Sequence, residues 1–510
     1  MTNLDEIEIN QSLNKTRIDM GEREKQYADV EWVALDDKNS LNYTKPVEFD
    51  TTPVKDRLPI YRESYVVLPL RATSSVGGTP YTSSTRLAWK CSVLSLIRSI
   101  LVQPIGSGPA LVNEQDGQLP LINNLRLLTA ADVDWVDSTG QELSFTGCDR
   151  QVDADVMGAE LHVSDGASSS TSVATGFSTN GLFSNPRLAA RVAIFSNMSD
   201  RTVAANIDMI VSIPLKYIHS LFDQMGHVMP NYPMRIKFGI SSFTSGSEDF
   251  MPLTTPSRSV CGGFDAAGAP LVSAAIVVAP APVLKVETGA SFRGYTPGAC
   301  RLYVKTVILK PEDSTKLDSE LSSGYKKTIT YLTTDIYRKV GQTTSSAGVG
   351  CRHVFAENTK RPVRLWALFP PTGAISSPLS TFPATIGRAG IKDVSIRING
   401  SILRKEKYES QLELYNELRE YQLGAGYSTQ QGGRISYNDF CQGVNPYLFD
   451  LSRHPSVINN MPVTLTFDST IFEASAGVVD ATFLVERWQT AVFNITKSKA
   501  ETDVEDGLLP

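Results

Sequence analysis

Short runs of alternating apolar and polar residues recur along the chain, and this period of two constrains the fold more than any other feature. In "MRIKFGI", the apolar residues Met234, Ile236, Phe238 and Ile240 alternate with basic residues. "VSIRING" and "PVTLTF" show the same alternation in the second half. Successive side chains of a strand point to opposite faces of its sheet, so alternation is typical of half-buried strands. The sequence therefore predicts an all-β protein of antiparallel sheets.

A few short helices interrupt this strand pattern, in a similar order in both halves. In "VSIPLKYIHSLFDQM" (211–225) a strand ends at Pro214, which suits the first turn of a short helix. "PEDSTKLDSELSSG" (311–324) starts with proline and acids and stops at glycine, which predicts a capped helix between two domains. "YESQLELYNELREYQ" (408–422) has the spacing of one amphipathic helix. The second half thus repeats the scheme of the first.

A chain of 510 residues exceeds what a single hydrophobic core usually serves, so two domains are expected. The ends of the chain are predicted as an extended N-terminal arm (1–56) and an acidic C-terminal tail (498–510). Two stretches rich in Ser, Gly and Thr, 164–182 and 241–270, are predicted as long exposed loops.

The arm differs from the rest of the chain in charge and pattern. Residues 1–50 hold twelve acids and six bases, lack alternation, and contain isolated large side chains such as Trp32, Tyr43 and Phe49. Such a segment is too acidic to neutralise a genome and too sparse in periodic apolar residues to form a core of its own. We expect it to dock on a neighbouring subunit and to fasten an assembly.

Composition argues against several classes of function. With 48 Lys and Arg against 54 Asp and Glu, the net charge of −6 gives no general attraction to nucleic acid, and the basic clusters at 326–327 and 404–407 are short. No apolar run is long enough to span a bilayer, and the N-terminus lacks a secretory signal. The six cysteines stand singly, without zinc or redox spacing. We expect no cofactor, no sequence-specific nucleic-acid binding, no transmembrane segment, and synthesis in the cytosol.

One stretch, "SYNDFCQGVNPYLFDLSRH" (436–454), concentrates enough chemistry to suggest a site. It contains the reactive side chains Asp439, Cys441, Asp450, Arg453 and His454. These residues lie where a predicted strand passes into a proline turn, and no glycine-rich oxyanion segment accompanies the cysteine. We interpret Asp450 and Arg453 as a pair, or as backbone caps, at the end of a sheet.

The remaining histidines and glycines offer no better candidates. His162, His219, His227 and His353 show no paired metal-ligand spacing. "GAGYSTQQGG" follows a helix and lacks the Lys-Ser/Thr ending of a phosphate-binding loop. The sequence predicts no catalytic, cofactor-binding or metal-binding residue, and hence no enzyme.

The order of these segments carries a resemblance. "VSIPLKYIHSLFDQM…MPNYPMRIKFGI", "RLYVKTVILKPEDSTKLDSELSSG" and "VSIRINGSIL…LYNELREYQ…ISYNDFCQGVNPYLFDLSR…MPVTLTF…FLVERW" together resemble the double-jelly-roll major capsid proteins of icosahedral DNA viruses. Within them the chain looks most like the virophage and polinton-like lineage, over roughly residues 60 to 495.

The resemblance implies a structural function. Proteins of this family fold as two antiparallel jelly-roll sandwiches in tandem, which here would be residues 57–311 and 312–497, and three chains form a pseudo-hexameric capsomer. The resemblance implies a homotrimer that is synthesised in the host cytoplasm and located in the virion, with neighbouring capsomers, penton proteins and minor capsid proteins as partners. Two alternatives stay open: a carbohydrate-binding or glycan-active jelly-roll protein, and a minor capsid or spike component. Clustered exposed aromatics beside carboxylates would favour the glycan alternative, while the duplication argues against the spike.

Overall fold

The structure is a computed structural model, and it describes a large part of the chain. The described residues are 27–38, 46–55, 57–74, 88–89, 92–106, 108–114, 119–130, 135, 139–145, 199–203, 206–226, 229, 232–240, 253–254, 282–286, 300–345, 347–369, 390–404, 407–424, 435, 437, 440, 446–472, 478–495 and 500–505.

Twenty-one strands make up most of this part of the chain. The first half contains β1 (Tyr27–Asp36), β2 (Val47–Asp50), β3 (Leu58–Ser74), β4 (Ala88–Trp89), β5 (Ile97–Pro104), β6 (Val112–Glu114), β7 (Ser199–Val203), β8 (Asn206–Pro214), β9 (Met234–Ile240), β10 (Leu253–Thr254), β11 (Pro282–Val286) and β12 (Arg301–Leu309). The second half contains β13 (Tyr325–Thr343), β14 (Val349–Thr359), β15 (Pro362–Leu368), β16 (Gly390–Ile398), β17 (Ser401–Ile402), β18 (Tyr447–Asp450), β19 (Val463–Phe472), β20 (Val478–Ile495) and β21 (Ala500–Glu505).

Short helices connect these strands. They are α1 (Leu119–Ala130), α2 (Thr139–Glu142), α3 (Leu215–Ile218), α4 (Ser220–Gln224), α5 (Pro311–Ser323), α6 (Gln411–Gly424) and α7 (Pro455–Ile458), with 3-10 turns at Thr52–Val54 and Val93–Leu96. The helix predicted between the halves is confirmed as α5, which begins at a proline and is followed by Gly324 at φ +86°. Only glycine adopts this backbone angle readily, so the helix stops there.

The first half forms a sandwich of two antiparallel sheets. Its large sheet has the order β1-β12-β3-β8-β7, with β11 also paired to β3, and its small sheet has the order β2-β9-β5-β6. Tyr61 of the large sheet donates a hydrogen bond of 3.1 Å to Thr51, which follows β2, so the two layers are joined in a buried position. We call this unit the first sandwich. A separate pair, β4 and β10, lies outside both sheets.

The second half forms an equivalent unit, the second sandwich. Its large sheet has the order β13-β20-β15-β18, with β21 also paired to β20, and its small sheet has the order β14-β19-β16-β17. Aromatic rings fill the space between the layers: the ring centroids of Phe467 and Phe483 are 5.1 Å apart, and those of Phe355 and Phe483 are 4.6 Å apart. The prediction of an all-β fold with two tandem antiparallel sandwiches is confirmed.

The prediction of an extended N-terminal arm over residues 1–56 is wrong for the described part of this range. Strand β1 pairs with β12 over nearly its whole length, and β2 pairs with β9. Val47 and Phe49 are fully buried, and Leu35 is buried as well. These residues complete both sheets of the first sandwich, so the sandwich begins before residue 57. Pairing with strands 185 to 282 residues away stabilises this acidic segment, and sequence periodicity cannot reveal such partners. Residues 1–26 lie outside the described residues.

Part of the predicted C-terminal tail belongs to the second sandwich, because β21 pairs with β20 in its large sheet. The predicted loop 164–182 lies outside the described residues, and of 241–270 only Leu253 and Thr254 are described. Cys300 and Cys351 are free thiols, while the other four cysteines lie outside the described residues. Within the described part, no helix is long and apolar enough to cross a membrane.

Candidate functional site

The polar stretch singled out by the sequence forms a capped turn at the end of β18. Asp450 accepts hydrogen bonds from the backbone N–H and the hydroxyl of Ser452, at 2.9 and 2.6 Å. Arg453 lies 3.5 Å from the same carboxylate, and its side chain is 87% exposed. His454 accepts the backbone N–H of Ser456 through Nδ1 at 3.3 Å and so caps α7. Asp439 and Cys441 lie outside the described residues. The pairing predicted for Asp450 and Arg453 is therefore present.

The other described histidines occupy structural positions. His353 is buried beside Phe483, with ring centroids 5.0 Å apart. His219 lies on the connection between β8 and β9 and is discussed below. Across the described ranges, no group of three or more His, Cys, Asp or Glu side chains is placed to hold a metal ion.

The most concentrated buried charge lies where the two sandwiches meet, at Glu486 of β20. Arg126 of α1, in the first sandwich, donates from Nε to its Oε1 at 2.8 Å. Trp366 of β15 donates its indole N–H to Oε2 at 3.1 Å, and Arg364 forms an ion pair with the same oxygen at 2.9 Å. Arg126 also donates to the hydroxyl of Thr334 at 3.2 Å. One carboxylate thus binds groups from both sandwiches.

A second carboxylate, Glu114 of β6, lies next to this group. Its Oε1 accepts the backbone N–H of Thr334 at 3.1 Å, so it also links the first sandwich to β13. His219 Nε2 lies 3.2 Å from the same oxygen, while His219 Nδ1 accepts the backbone N–H of Leu221 at 3.1 Å. Because Nδ1 is an acceptor, the ring proton is on Nε2 and is donated to Glu114. We call Glu114, Arg126, His219, Thr334, Arg364, Trp366 and Glu486 the junction cluster.

The electrostatics of the junction cluster favour the charged forms. Burial alone would raise the pKa of Glu486, but Arg126 and Arg364 hold it below its ordinary value. Burial would likewise raise the pKa of Glu114, and His219, Arg126 and the Thr334 amide lower it. Burial would lower the pKa of Arg126, but the two carboxylates raise it. The cluster therefore keeps two anions and the Arg126 cation ionised in a buried place.

Further contacts extend the junction on both sides of the cluster. The Ser220 hydroxyl donates to the Leu332 carbonyl at 3.0 Å and accepts the Leu332 N–H at 2.7 Å. The Tyr331 hydroxyl donates to the carbonyl of Leu111. The rings of Tyr232 and Phe493 meet edge to face at 4.9 Å. Paired charges, backbone bonds and aromatic packing together hold the two sandwiches in one relative orientation.

Sequence reasoning missed the junction cluster, although two signals were present. Glu486 directly follows the apolar run Phe483-Leu484-Val485 in "ATFLVERW", which indicates a buried charge that needs a partner. The helices α1 and α6 share the pattern Leu-x-Asn-x-Leu-Arg, in "LINNLR" and "LYNELR". Neither signal names the partner, because the residues that meet are as far as 360 positions apart.

Comparison with known proteins agrees with this architecture. No family model and no curated protein matches the sequence. The fold is similar to that of a chain in the 3.5 Å cryo-EM structure of the Sputnik virophage, with a TM-score of 0.60 and 10% identity, covering 95% of this chain and 90% of that one. The chain has the double-jelly-roll fold. The crystal structure of the mavirus major capsid protein is also similar, with a TM-score of 0.51 and 10% identity, covering 93% and 90% of the two chains. At these identities, both comparisons show a similarity of fold.

Proposed function

We propose that the protein is a structural major capsid protein that trimerises into pseudo-hexameric capsomers and assembles into an icosahedral viral shell. The observation that supports this most directly is the junction between two sandwiches of the same strand order. A junction of this kind makes one chain a rigid pair of similar units. Three such pairs around a threefold axis supply six similar units, which suits a hexagonal lattice.

The likeness of fold to virophage structures supports the same proposal, and several finer points follow from it. The proposed location is the virion, and the proposed partners are neighbouring capsomers, penton proteins and minor capsid proteins. The proposed role is non-enzymatic and uses no cofactor. We place the boundary between the two jelly rolls at 311–312, at the start of α5, and count β1 and β2 in the first.

The glycan-binding alternative depends on one aromatic group, Trp32, Tyr65 and Tyr303, on the outer face of the large sheet of the first sandwich. The rings of Tyr65 and Tyr303 stack on each other at 5.1 Å with an interplanar angle of 14°, and Trp32 tilts against Tyr65 at 5.3 Å. Sugars stack on rings that lie flat on a surface, whereas Tyr65 and Tyr303 stand against each other, so that each ring covers one face of the other. The arrangement favours the structural proposal.

The mass of the purified protein in solution tests the proposal. We expect sedimentation equilibrium at micromolar concentration to give three times the chain mass of 55.7 kDa, and negative-stain images to show hexagonal particles or shells. A stable monomer over this concentration range would contradict the capsomer. Glycan-array binding by such a monomer would favour the alternative.

A further inference from the structure

The large sheets of the two sandwiches carry equivalent rows of residues on the face away from the core. In the second sandwich the row is Thr334, Glu486, Arg364 and Asp450, which ends at the last residue of β18. In the first sandwich it is Ala34, Tyr303, Tyr65 and Pro214, which ends at the last residue of β8. The register between the second and third strands shifts directly beside both rows. Tyr303 therefore occupies the place of Glu486.

The helices that follow the small sheets are equivalent as well. In the shared pattern Leu-x-Asn-x-Leu-Arg, Leu125 and Leu418 are both fully buried. The arginine after each leucine points elsewhere: Arg126 reaches Glu486 and Thr334 of the other sandwich, whereas Arg419 is exposed. Arg419 of the second sandwich is therefore the equivalent of Arg126, which binds the second sandwich from the first.

The turns that follow the large sheets complete the correspondence. His219 caps α4 and His454 caps α7, each through Nδ1. The residue after His219, Ser220, binds the backbone of Leu332 across the junction. Among the described residues, no hydrogen bond from the turn after His454 reaches the first sandwich, and Ile458 and Met461 of this turn are 58% and 51% exposed. Two large apolar side chains exposed on one short turn are typical of a surface that a partner covers.

The outer face of the large sheet is exposed at this position in the first sandwich, whereas α1 and Ser220 cover it in the second. Trp32 lies two residues before Ala34, and Leu332 lies two residues before Thr334, so Trp32 and Leu332 are equivalent. The side chain of Trp32 is 48% exposed. Val30, on the same side of β1, is 42% exposed. Together with Tyr65 and Tyr303 they form an aromatic patch at the place where α1 and Ser220 cover the second sandwich. Lys305 lies directly opposite Trp32 and borders the patch, with its ammonium 6.0 Å from the Trp32 ring and paired with Glu63. We call Val30, Trp32, Tyr65 and Tyr303 the aromatic patch.

We propose that the aromatic patch of one copy binds Arg419 and the His454–Met461 turn of a second copy, in an interface that repeats the junction within the chain. Arg419 lies over the rings of Tyr303 and Tyr65, where Arg126 meets Glu486 in the internal junction. A guanidinium binds an aromatic face through electrostatic attraction and stacking. Tyr303 is therefore a favourable partner for Arg419, as Glu486 is for Arg126. The exposed turn packs against Trp32. This inference rests on the proposed trimer and names the surfaces that form it.

The two surfaces lie on different sandwiches, so the contact is head to tail. A head-to-tail contact forms a closed ring when its rotation divides the circle, and otherwise an open filament. Internal junctions and contacts between copies then alternate around the ring. Such a ring closes at three copies when each internal junction and each contact between copies turns by about 60°.

Charge reversal at Arg419 tests the contact. We expect Arg419→Glu to raise the concentration at which trimers dissociate by at least about tenfold, because an anion is repelled by the ring faces. The matched control is Arg352→Glu, the same change at a 66% exposed position in the small sheet of the second sandwich, which should leave the trimer unchanged. Tyr303→Arg should also weaken the trimer. The double variant Tyr303→Arg with Arg419→Glu should recover much of the loss by forming an ion pair between copies.

A cross-link tests the geometry independently of charge. In a full chain whose native cysteines, including the partly exposed Cys351, are replaced by serine, Ala34→Cys together with Arg419→Cys should give covalent dimers and trimers with a short thiol-reactive cross-linker. Neither single variant should do so, because a head-to-tail contact never brings two copies of the same position together. Cross-linked dimers from Arg419→Cys alone would show a symmetric contact and overturn the inference.

The outcomes separate this inference from the proposed function. If the wild-type protein is a monomer, the capsomer itself is wrong. If it is a trimer that Arg419→Glu leaves intact and the double cysteine variant gives no cross-link, the capsomer stands and this interface is wrong. Thermal unfolding of each variant shows whether a loss of trimer reflects misfolding, and Arg419→Glu should unfold like the wild type because its side chain is exposed.

Discussion

Glu486 and His353 show two ways in which this chain buries polar side chains. Glu486 is 1% exposed, but both of its oxygens bind donors. His353 is 2% exposed, and within the described part of the chain neither of its ring nitrogens has a hydrogen-bond partner. A buried charge with partners holds neighbouring elements in place, whereas a buried polar group without partners reduces stability.

Arg126→Ala removes the partner that Glu486 receives from the first sandwich. We expect the free energy of unfolding to fall by about 3 kcal/mol, because a buried carboxylate loses part of its compensation. The control Arg453→Ala removes an exposed ion pair and should cost less than about 0.5 kcal/mol. Urea unfolding at one fixed protein concentration measures both. Equal losses in the two variants would contradict the role assigned to the junction cluster.

His353→Leu should stabilise the protein by about 1 kcal/mol at pH 7, since it removes two unsatisfied nitrogens from an aromatic core. Burial lowers the pKa of His353, Lys339 lowers it further, and Asp468 partly opposes this. The unfolded chain therefore takes up a proton near the ordinary value of 6.5, which the folded chain does not, and stability falls as pH drops below that value. The difference in unfolding free energy between variant and wild type should grow from pH 7 to pH 5. A constant difference would show that His353 does not titrate in this way.

At the scale of elements, the edges of the first sandwich depend on segments that have little strand character of their own. The second strand, β2, has only four residues, yet Val47 and Phe49 are fully buried, and Phe49 meets Phe238 edge to face at 6.2 Å. Strand β1 borders the large sheet and supplies Leu35 to the core. Both strands belong to the domain and not to a separate arm.

Truncation distinguishes the arm from the sandwich. A chain that starts at Tyr27 should fold, because every described strand is kept. A chain that starts at Lys55 should be insoluble or unfolded, because it loses β1 and β2 and exposes the core that they cover. Circular dichroism and thermal unfolding of the two proteins measure this. Cooperative unfolding of the shorter chain at the wild-type temperature would restore the interpretation of residues 27–54 as an arm.

At the scale of the whole molecule, the junction cluster controls how the two sandwiches sit together. Its contacts join α1 to β20 and β6 to β13, and Ser220 of the β8–β9 connection adds a bond to β13. Neither sandwich therefore moves without breaking part-buried hydrogen bonds. The proposed contact between copies uses the equivalent elements of the second sandwich. The stability of the chain and the geometry of the assembly would then share one structural basis.

Acid should weaken the junction. The pKa values of Glu114 and Glu486 are below their ordinary value of 4.5, so both groups stabilise the folded chain above that pH and lose this contribution as pH falls through their folded pKa values. We expect unfolding free energy to drop between pH 5 and pH 3. Glu486→Gln, which cannot titrate, should be less stable at pH 7 but should show a shallower drop. The same slope in both proteins would mean that other carboxylates control acid unfolding.

Much of the fold could be predicted from the sequence, because strand alternation and helix spacing are local properties. The strands at 234–240 and 463–472, the helix after Lys310 and the helix near 411–424 appear where these patterns place them. The capped turn at Asp450 and Arg453 could also be anticipated, since its partners are close in sequence.

Tertiary structure alone decided the rest. Strand β1 has no clear alternation and becomes a strand because β12 offers it a long edge. The junction cluster joins residues that are hundreds of positions apart, and the arginine of the shared pattern pairs with a buried carboxylate in α1 but is exposed in α6. The physical reason is that the sequence of a segment determines its local conformation, whereas burial and charge pairing depend on which distant segment covers it.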